Sequence, residues 1–164
     1  MATQIAAIVD YSAWRAGTSV QNVVNPMTNL TLGVRSVYGA GQNAYPDPLR
    51  PGLMIAPAEE KPANPYCHVS ELPDAPSQPE STQDVVDQYI WTVPMRFYVP
   101  KADKRVLRAT LLPFYDAYLS AFRQDIRLGN LCLTSHLLLH PVEVDDDWAW
   151  LPMDLIVTEV VSWP

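Results

Sequence analysis

Residues 89–125 read YIWTVPMRFYVPKADKRVLRATLLPFYDAYLSAFRQD. Up to Pro100 the apolar side chains alternate: Tyr89, Trp91, Val93, Met95, Phe97 and Val99 fall on one face, the period of a strand with one buried side. Beyond Lys101 the period changes, and Leu107, Leu111, Phe114, Tyr118 and Phe122 recur at steps of three and four, the stripe of an amphipathic helix over 102–125. Asp103 stands where an N-cap or first-turn acid belongs. Two prolines modify this reading. Pro94 brings no amide to a ladder and predicts an edge position or a bulge, and Pro113 removes one helical hydrogen bond and predicts a kink or a division. The helix should end before Gly129-Asn130, with Arg123 and Arg127 near its negative end.

Toward the C-terminus, LCLTSHLLLHPVEV (131–144) and WAWLPMDLIVTEVVSW (148–163) read as two strands of a hairpin around Asp145, Asp146 and Asp147. In the second of these, Met153, Leu155, Val157, Val161 and Trp163 share a face that only Glu159 interrupts. Toward the N-terminus, Thr3 is placed to cap a short helix with Ile5, Ile8 and Val9 on one side, ending near Gly17. A strand follows near 32–38, and another lies between the prolines of PGLMIAP (51–57). Nine of the sixteen prolines fall between 46 and 79. They predict a long stiff loop at 58–84, either an anchor for a neighbour or a plain surface excursion. Together these elements predict one α+β domain over 1–164, a mixed or antiparallel sheet with helices packed on one face and a C-terminal hairpin.

Composition narrows the function. The chain has 164 residues, of which 48% are hydrophobic and 18% charged, so apolar area remains for association. A net charge of −7 gives no general attraction to nucleic acid or to acidic membranes. The charge is also segregated: residues 101–128 carry six basic and three acidic side chains, whereas 129–164 carry six acidic and no Lys or Arg. Such segments are suited to pairing between copies, or serve only as differently charged solvated faces. No stretch reaches about 18 uninterrupted apolar residues. The N-terminus has neither the basic region nor the apolar run of a secretory signal. Cys67 and Cys132 lack CxxC spacing and suit a reducing compartment with free thiols.

Candidate chemistry is sparse. Magnesium takes carboxylate oxygens, but along an extended chain Asp145 and Asp147 point one way and Asp146 the other, so a solvated turn outweighs a metal site. A metal-dependent hydrolase using Asp145, Asp147 and a histidine is the enzyme alternative. His136 and His140 lie roughly 13 Å apart if the segment is a strand, too far to share one zinc. Cys67 and His68 adjoin, yet a thiolate–imidazole pair needs a third group to orient it. GxSxG, P-loop, HExxH and CxxC are missing. The expectation is therefore a non-enzyme without metal or cofactor. Trp91 and Met95 on the edge-like strand, Arg105 and Arg108 on the helix, and Trp148 and Trp150 beside the acidic turn are candidate subunit-interface residues, with the core as the tryptophans' alternative place.

The series of elements carries a resemblance. A helix, a strand ending in VRSVYG, the passage YPDPLRPGLMIAP, a long excursion, YIWTVPMRFYVPKADKR, a helix containing LLPFYDAYLSAF, IRLGNLCLTS and a terminal apolar strand follow in that order. This series resembles the tail terminator, or tail completion, proteins of long-tailed bacteriophages over nearly the whole chain. The proline-rich excursion at 58–84 departs from the pattern. The resemblance implies a ring-forming α+β subunit, a homo-hexamer in the neck of the virion assembled in the host cytoplasm. It also implies contacts with the tail tube protein and a head-completion or connector protein, and DNA passing through without specific binding. In such a ring Asp145, Asp146 and Asp147 are candidates for a loop facing the lumen or a partner. Another neck or tail subunit, a head-closure or tube protein, is the second reading.

Overall fold

In a computed structural model of the chain, described for residues 3–18, 23–24, 31–32, 36–38, 53–54, 66–69, 73–81 and 86–162, helices and a mixed sheet form one α+β fold. The first helix, α1 (Ile5–Thr18), is followed by β1 (Val23–Val24) and β2 (Thr31–Leu32), which pair with each other alone. Then come β3 (Ser36–Tyr38), β4 (Leu53–Met54), β5 (Tyr66–Val69), β6 (Asp74–Ser81) and β7 (Val86–Pro100). The long helix α2 (Lys104–Arg123) leads to β8 (Thr134–Leu139), β9 (Glu143–Val144) and β10 (Trp148–Ser162). The main sheet runs β4-β3-β5-β7-β10-β8, with β6 added beside β7 and β9 beside β10. Its β3 pairs parallel with β4 and β5, and all its other pairings are antiparallel.

The centre of the sheet is the β7–β10 pair, in unbroken register from Val86↔Ser162 to Trp148↔Pro100. Alternation sends the odd-numbered residues of both strands to one side. There Val93, Met95, Phe97, Leu151, Met153, Leu155 and Val157 are buried with Ile8 and Val9 of α1 and Leu111, Phe114, Tyr118 and Phe122 of α2. Each such side chain contributes about 1.5–3 kcal/mol by leaving water. Phe97 is the hinge of the packing, its ring centroid 4.1 Å from that of Phe114 and 5.7 Å from that of Tyr118.

The helix ends are held by identifiable groups. Asp103 caps α2, its carboxylate accepting from the Arg105 and Val106 amides at 3.0 Å each. At the far end the Arg15 guanidinium donates twice to the Ala121 carbonyl, at 3.0 and 2.8 Å, and sets a positive charge at the negative pole of α2. For α1 the Gln4 carbonyl accepts the first helical hydrogen bond, from Ile8. The Gln4 amide donates to the Glu159 carboxylate of β10, and the cap position falls on Gln4, one residue beyond Thr3.

Several sequence expectations need correction. The strand expected near 32–38 is two strands in different sheets, β2 and β3. The stretch 58–84, expected to lack regular structure, carries β5 and β6. Proline is tolerated in β6 because, among the described residues, it pairs with β7 on one side alone, and the paired residues Asp74, Ser77 and Glu80 leave Pro76 and Pro79 between them, at register shifts. Pro94 lies in a central strand, not an edge or bulge: on that flank pairing to β6 stops at Thr92 and pairing to β5 begins at Met95, so the missing amide falls in the gap. Pro152 repeats the arrangement on β10, between the stretches paired with β9 and β8. Pro113 does not divide α2, which runs uninterrupted from Lys104 to Arg123. Finally, 131–144 is two short strands and not one, because Pro141 has no amide to continue the ladder beyond the bond from His140 to the Pro152 carbonyl.

Candidate functional site

The aspartate triplet occupies the tight turn between β9 and β10. Asp145 is consumed by the turn itself: its carboxylate accepts from the Asp147 amide at 2.8 Å and the Trp148 amide at 2.6 Å, while its own amide donates to the Trp148 carbonyl. Such self-bonding is the usual reason for aspartate in a turn. The Asp147 carbonyl accepts from the Lys101 amide and ties the turn to the passage between β7 and α2. Asp146 and Asp147 are exposed. Among the described residues no three His, Cys, Asp or Glu side chains gather as metal ligands would.

Behind the turn, on the sheet face away from the helices, lies an aromatic cluster. Tyr98 meets Trp148 edge-on at a centroid distance of 6.2 Å and Trp150 at 5.6 Å. Trp148 and Tyr98 are buried, and the Trp150 indole N–H is buried without an acceptor among the described residues. Arg96 shares this face. A hydrogen bond to Tyr98 holds its guanidinium above the usual arginine range, with the Glu143 carboxylate adding to the effect and burial opposing it. Farther along, His140 Nε2 lies 2.7 Å from an Asp154 carboxylate oxygen. These two residues, Arg96, Pro94 and Pro152 line an open groove where β9 gives way to β8.

The sequence-derived interface residues thus separate. Arg105 and Arg108 are exposed on α2. Trp148 and Trp150 belong to the aromatic cluster, with Trp148 buried. Met95 is 1% exposed, beneath the helices, and is a core residue; alternation alone aims it inward. Trp91 donates its indole N–H to Glu159 at 3.1 Å and packs against the core, so its polar end is engaged within the chain. His136 stands exposed on β8, and His140 is paired to Asp154. Of Cys67 and His68 the structure describes the backbone, in β5.

Two polar centres were missed from sequence. Glu159, 3% exposed, joins the Trp91 indole to the start of α1; its interruption of an apolar face was the available signal. Asp125 accepts from the Tyr11 hydroxyl and the Gly129 amide, linking α1 to the turn after α2. The Tyr11 bond, the largest influence, holds the Asp125 carboxyl below its ordinary range despite burial. Nothing local in the sequence connects residues 11 and 125. Cys132 sits close to both centres. Burial first, then the Asp125 and Glu159 charges, push its thiol up to about 11, so it is no nucleophile at neutral pH.

Compared with protein families and with curated proteins, the sequence matches no family model and no curated protein.

Proposed function

We propose that this chain is a virion structural subunit of the tail terminator type, a homo-hexameric ring that caps the tail tube, ends its polymerisation and presents the surface that joins the head. The observation that carries the reading is the order of elements. A long strand, a long helix, two short strands and a second long strand follow one another, β7 and β10 pair along their whole length, and α2 covers one face. That is the C-terminal part of the series on which the resemblance rests. Supporting it, exposed apolar side chains stand on the sheet margin at Leu133, Leu138, Val142 and Val144. The reading assigns no covalent chemistry to the subunit. Its partners are the tail tube protein and a head-completion or connector protein, and its place is the neck or tail of the virion.

The deciding experiment is deletion of the gene from its phage, with tails inspected by electron microscopy. Overlong headless tails support the reading; normal length and head joining overturn it, and tails of normal length that lack heads point instead to a head-closure subunit. Placement of the acidic turn at the lumen is tested separately. Changing Asp146 and Asp147 to Asn, leaving Asp145 to hold the turn, should impair DNA passage while rings still form. Unchanged infectivity removes that placement.

A further inference from the structure

Strand β8 ends the main sheet, and among the described residues nothing pairs with its outer edge. Free edges pair with other chains, and natural sheets guard them with prolines, charges or shortness. Here the other margins are guarded. Strand β6 contains Pro76 and Pro79 and irregular register, β9 is two residues long, and β4, described at Leu53–Met54, lies between Pro51 and Pro57 in sequence. By contrast β8 runs for six residues as TSHLLL without a proline or a formal charge. From Leu128 to Val142 the chain has no Asp, Glu, Lys or Arg at all, although it carries 11 basic and 18 acidic residues in total.

The ends of this neutral edge are charged with opposite sign. The Ser135 hydroxyl donates to the Ile126 carbonyl at 3.0 Å, which places the end of α2 and the turn after it, with exposed Arg123 and Arg127, at the beginning of β8. Its other end leads into exposed Glu143, Asp146 and Asp147. An edge that is basic at one end and acidic at the other is complementary to itself when one copy is reversed. The sequence is nearly balanced about the middle: Arg127 precedes His136 by nine residues and Asp146 follows Leu137 by nine. Exposed Leu138 stands on the edge itself, and exposed Leu133 just before it.

We propose that the free chain forms a closed dimer in which the outer edge of β8 pairs antiparallel with the same edge of a second copy, about a two-fold axis at His136, so that directly opposed residues share a face of the sheet. The basic end of each edge then meets the acidic end of the other, and the eight-stranded sheet becomes continuous across two subunits. A two-fold contact uses one patch twice and closes on itself, whereas a six-fold ring joins unlike patches. The inference therefore goes beyond the ring reading: it describes the subunit before incorporation, with its adhesive edge covered.

The test is sedimentation velocity of the purified full chain across concentration, with circular dichroism to verify that each variant is folded. Wild type is expected as a concentration-dependent dimer. Leu138→Lys, Arg127→Glu and Asp146→Lys, all at exposed positions, should each weaken dimerisation by at least about tenfold, and Arg127→Glu combined with Asp146→Lys should recover much of the loss. A wild type that stays monomeric at all concentrations overturns the proposal, as does a dimer indifferent to all three changes. A hexamer insensitive to them overturns the edge pairing while upholding the ring reading. A dimer with the expected sensitivities upholds the pairing even where gene deletion leaves tails normal and ends the ring reading.

Discussion

The Trp91 indole N–H donates to the Glu159 carboxylate at 3.1 Å, from one central strand to the other and one ladder step off the directly opposed pairs Trp91↔Val157 and Tyr89↔Glu159. Through the same carboxylate the amide of Gln4 at the start of α1 is bound, so a single buried acid fastens a helix terminus to the sheet.

Removing the indole donor takes away one of the two described partners of that acid. Trp91→Phe is expected to destabilise the fold by about 1.5–3 kcal/mol, the range for a hydrogen bond to a charged group, plus the lost packing of the larger ring. Urea unfolding measures it; a midpoint unchanged from wild type would falsify the role given to Glu159.

The turn after α2 is the next sensitive place. Leu128, Gly129 and Asn130 all have positive φ, 48°, 67° and 68°. A Cβ on Gly129 would come within 3.0 Å of the Tyr11 ring. Gly129→Ala should therefore cost more than about 1 kcal/mol, since alanine here is strained in backbone and crowded in side chain. Thermal unfolding should show the loss, and Asn130→Gly, which relieves a left-handed residue, should not reproduce it.

Acid sensitivity follows from Asp125. Its carboxyl is held below the ordinary value of 3.8, first by the Tyr11 hydroxyl and also by the Gly129 amide and Arg15. A depressed folded value means the unfolded chain takes up protons first. The stabilisation is thus complete above the unfolded value and disappears as pH falls through the folded one. Tyr11→Phe should lower stability at pH 7 by about 1 kcal/mol and flatten the decline below pH 4. Denaturant midpoints of the two proteins at pH 7 and pH 3 make the comparison, and parallel declines would exclude this part of the argument.

Cys132 should be chemically quiet. With its thiol pushed up to about 11, iodoacetamide should label it far more slowly at pH 8 than an ordinary cysteine, the rate climbing as pH approaches that value. Peptide mapping separates it from Cys67. Rapid labelling of Cys132 at neutral pH would contradict the burial and the neighbouring negative charges that raise it.

What could be read from the sequence were the patterns with a short period. The alternation from Tyr89 to Val99 and the three-four stripe from Leu107 to Phe122 required only local geometry, as did the Asp103 cap. The turn role of Asp145 was equally legible, for an aspartate that bonds the next amides needs no distant partner. Errors arose where neighbours decide. Pro94 reads as an edge or bulge residue because a strand's flanks are not written in the strand: its missing amide is harmless because β5 and β6 divide that side between them. The prolines of β6 misled for the same reason. Met95, a candidate interface residue from its edge-like strand, is aimed inward by its own alternation. Glu159 and Asp125 meet partners far away along the chain, at Gln4 and Tyr11, and only the folded arrangement joins them.

The paired gaps at Pro94 and Pro152 have a consequence for how such a chain can change over generations. Each proline interrupts hydrogen bonding toward the flank and leaves the β7–β10 register intact. The sheet is consequently a two-stranded spine with separate short strands attached to its quarters, and an insertion or register slip in one quarter has no ladder through which to reach the next. Lineages can therefore remodel the rim of the sheet piece by piece, while selection on the spine and its two helices keeps the chain foldable.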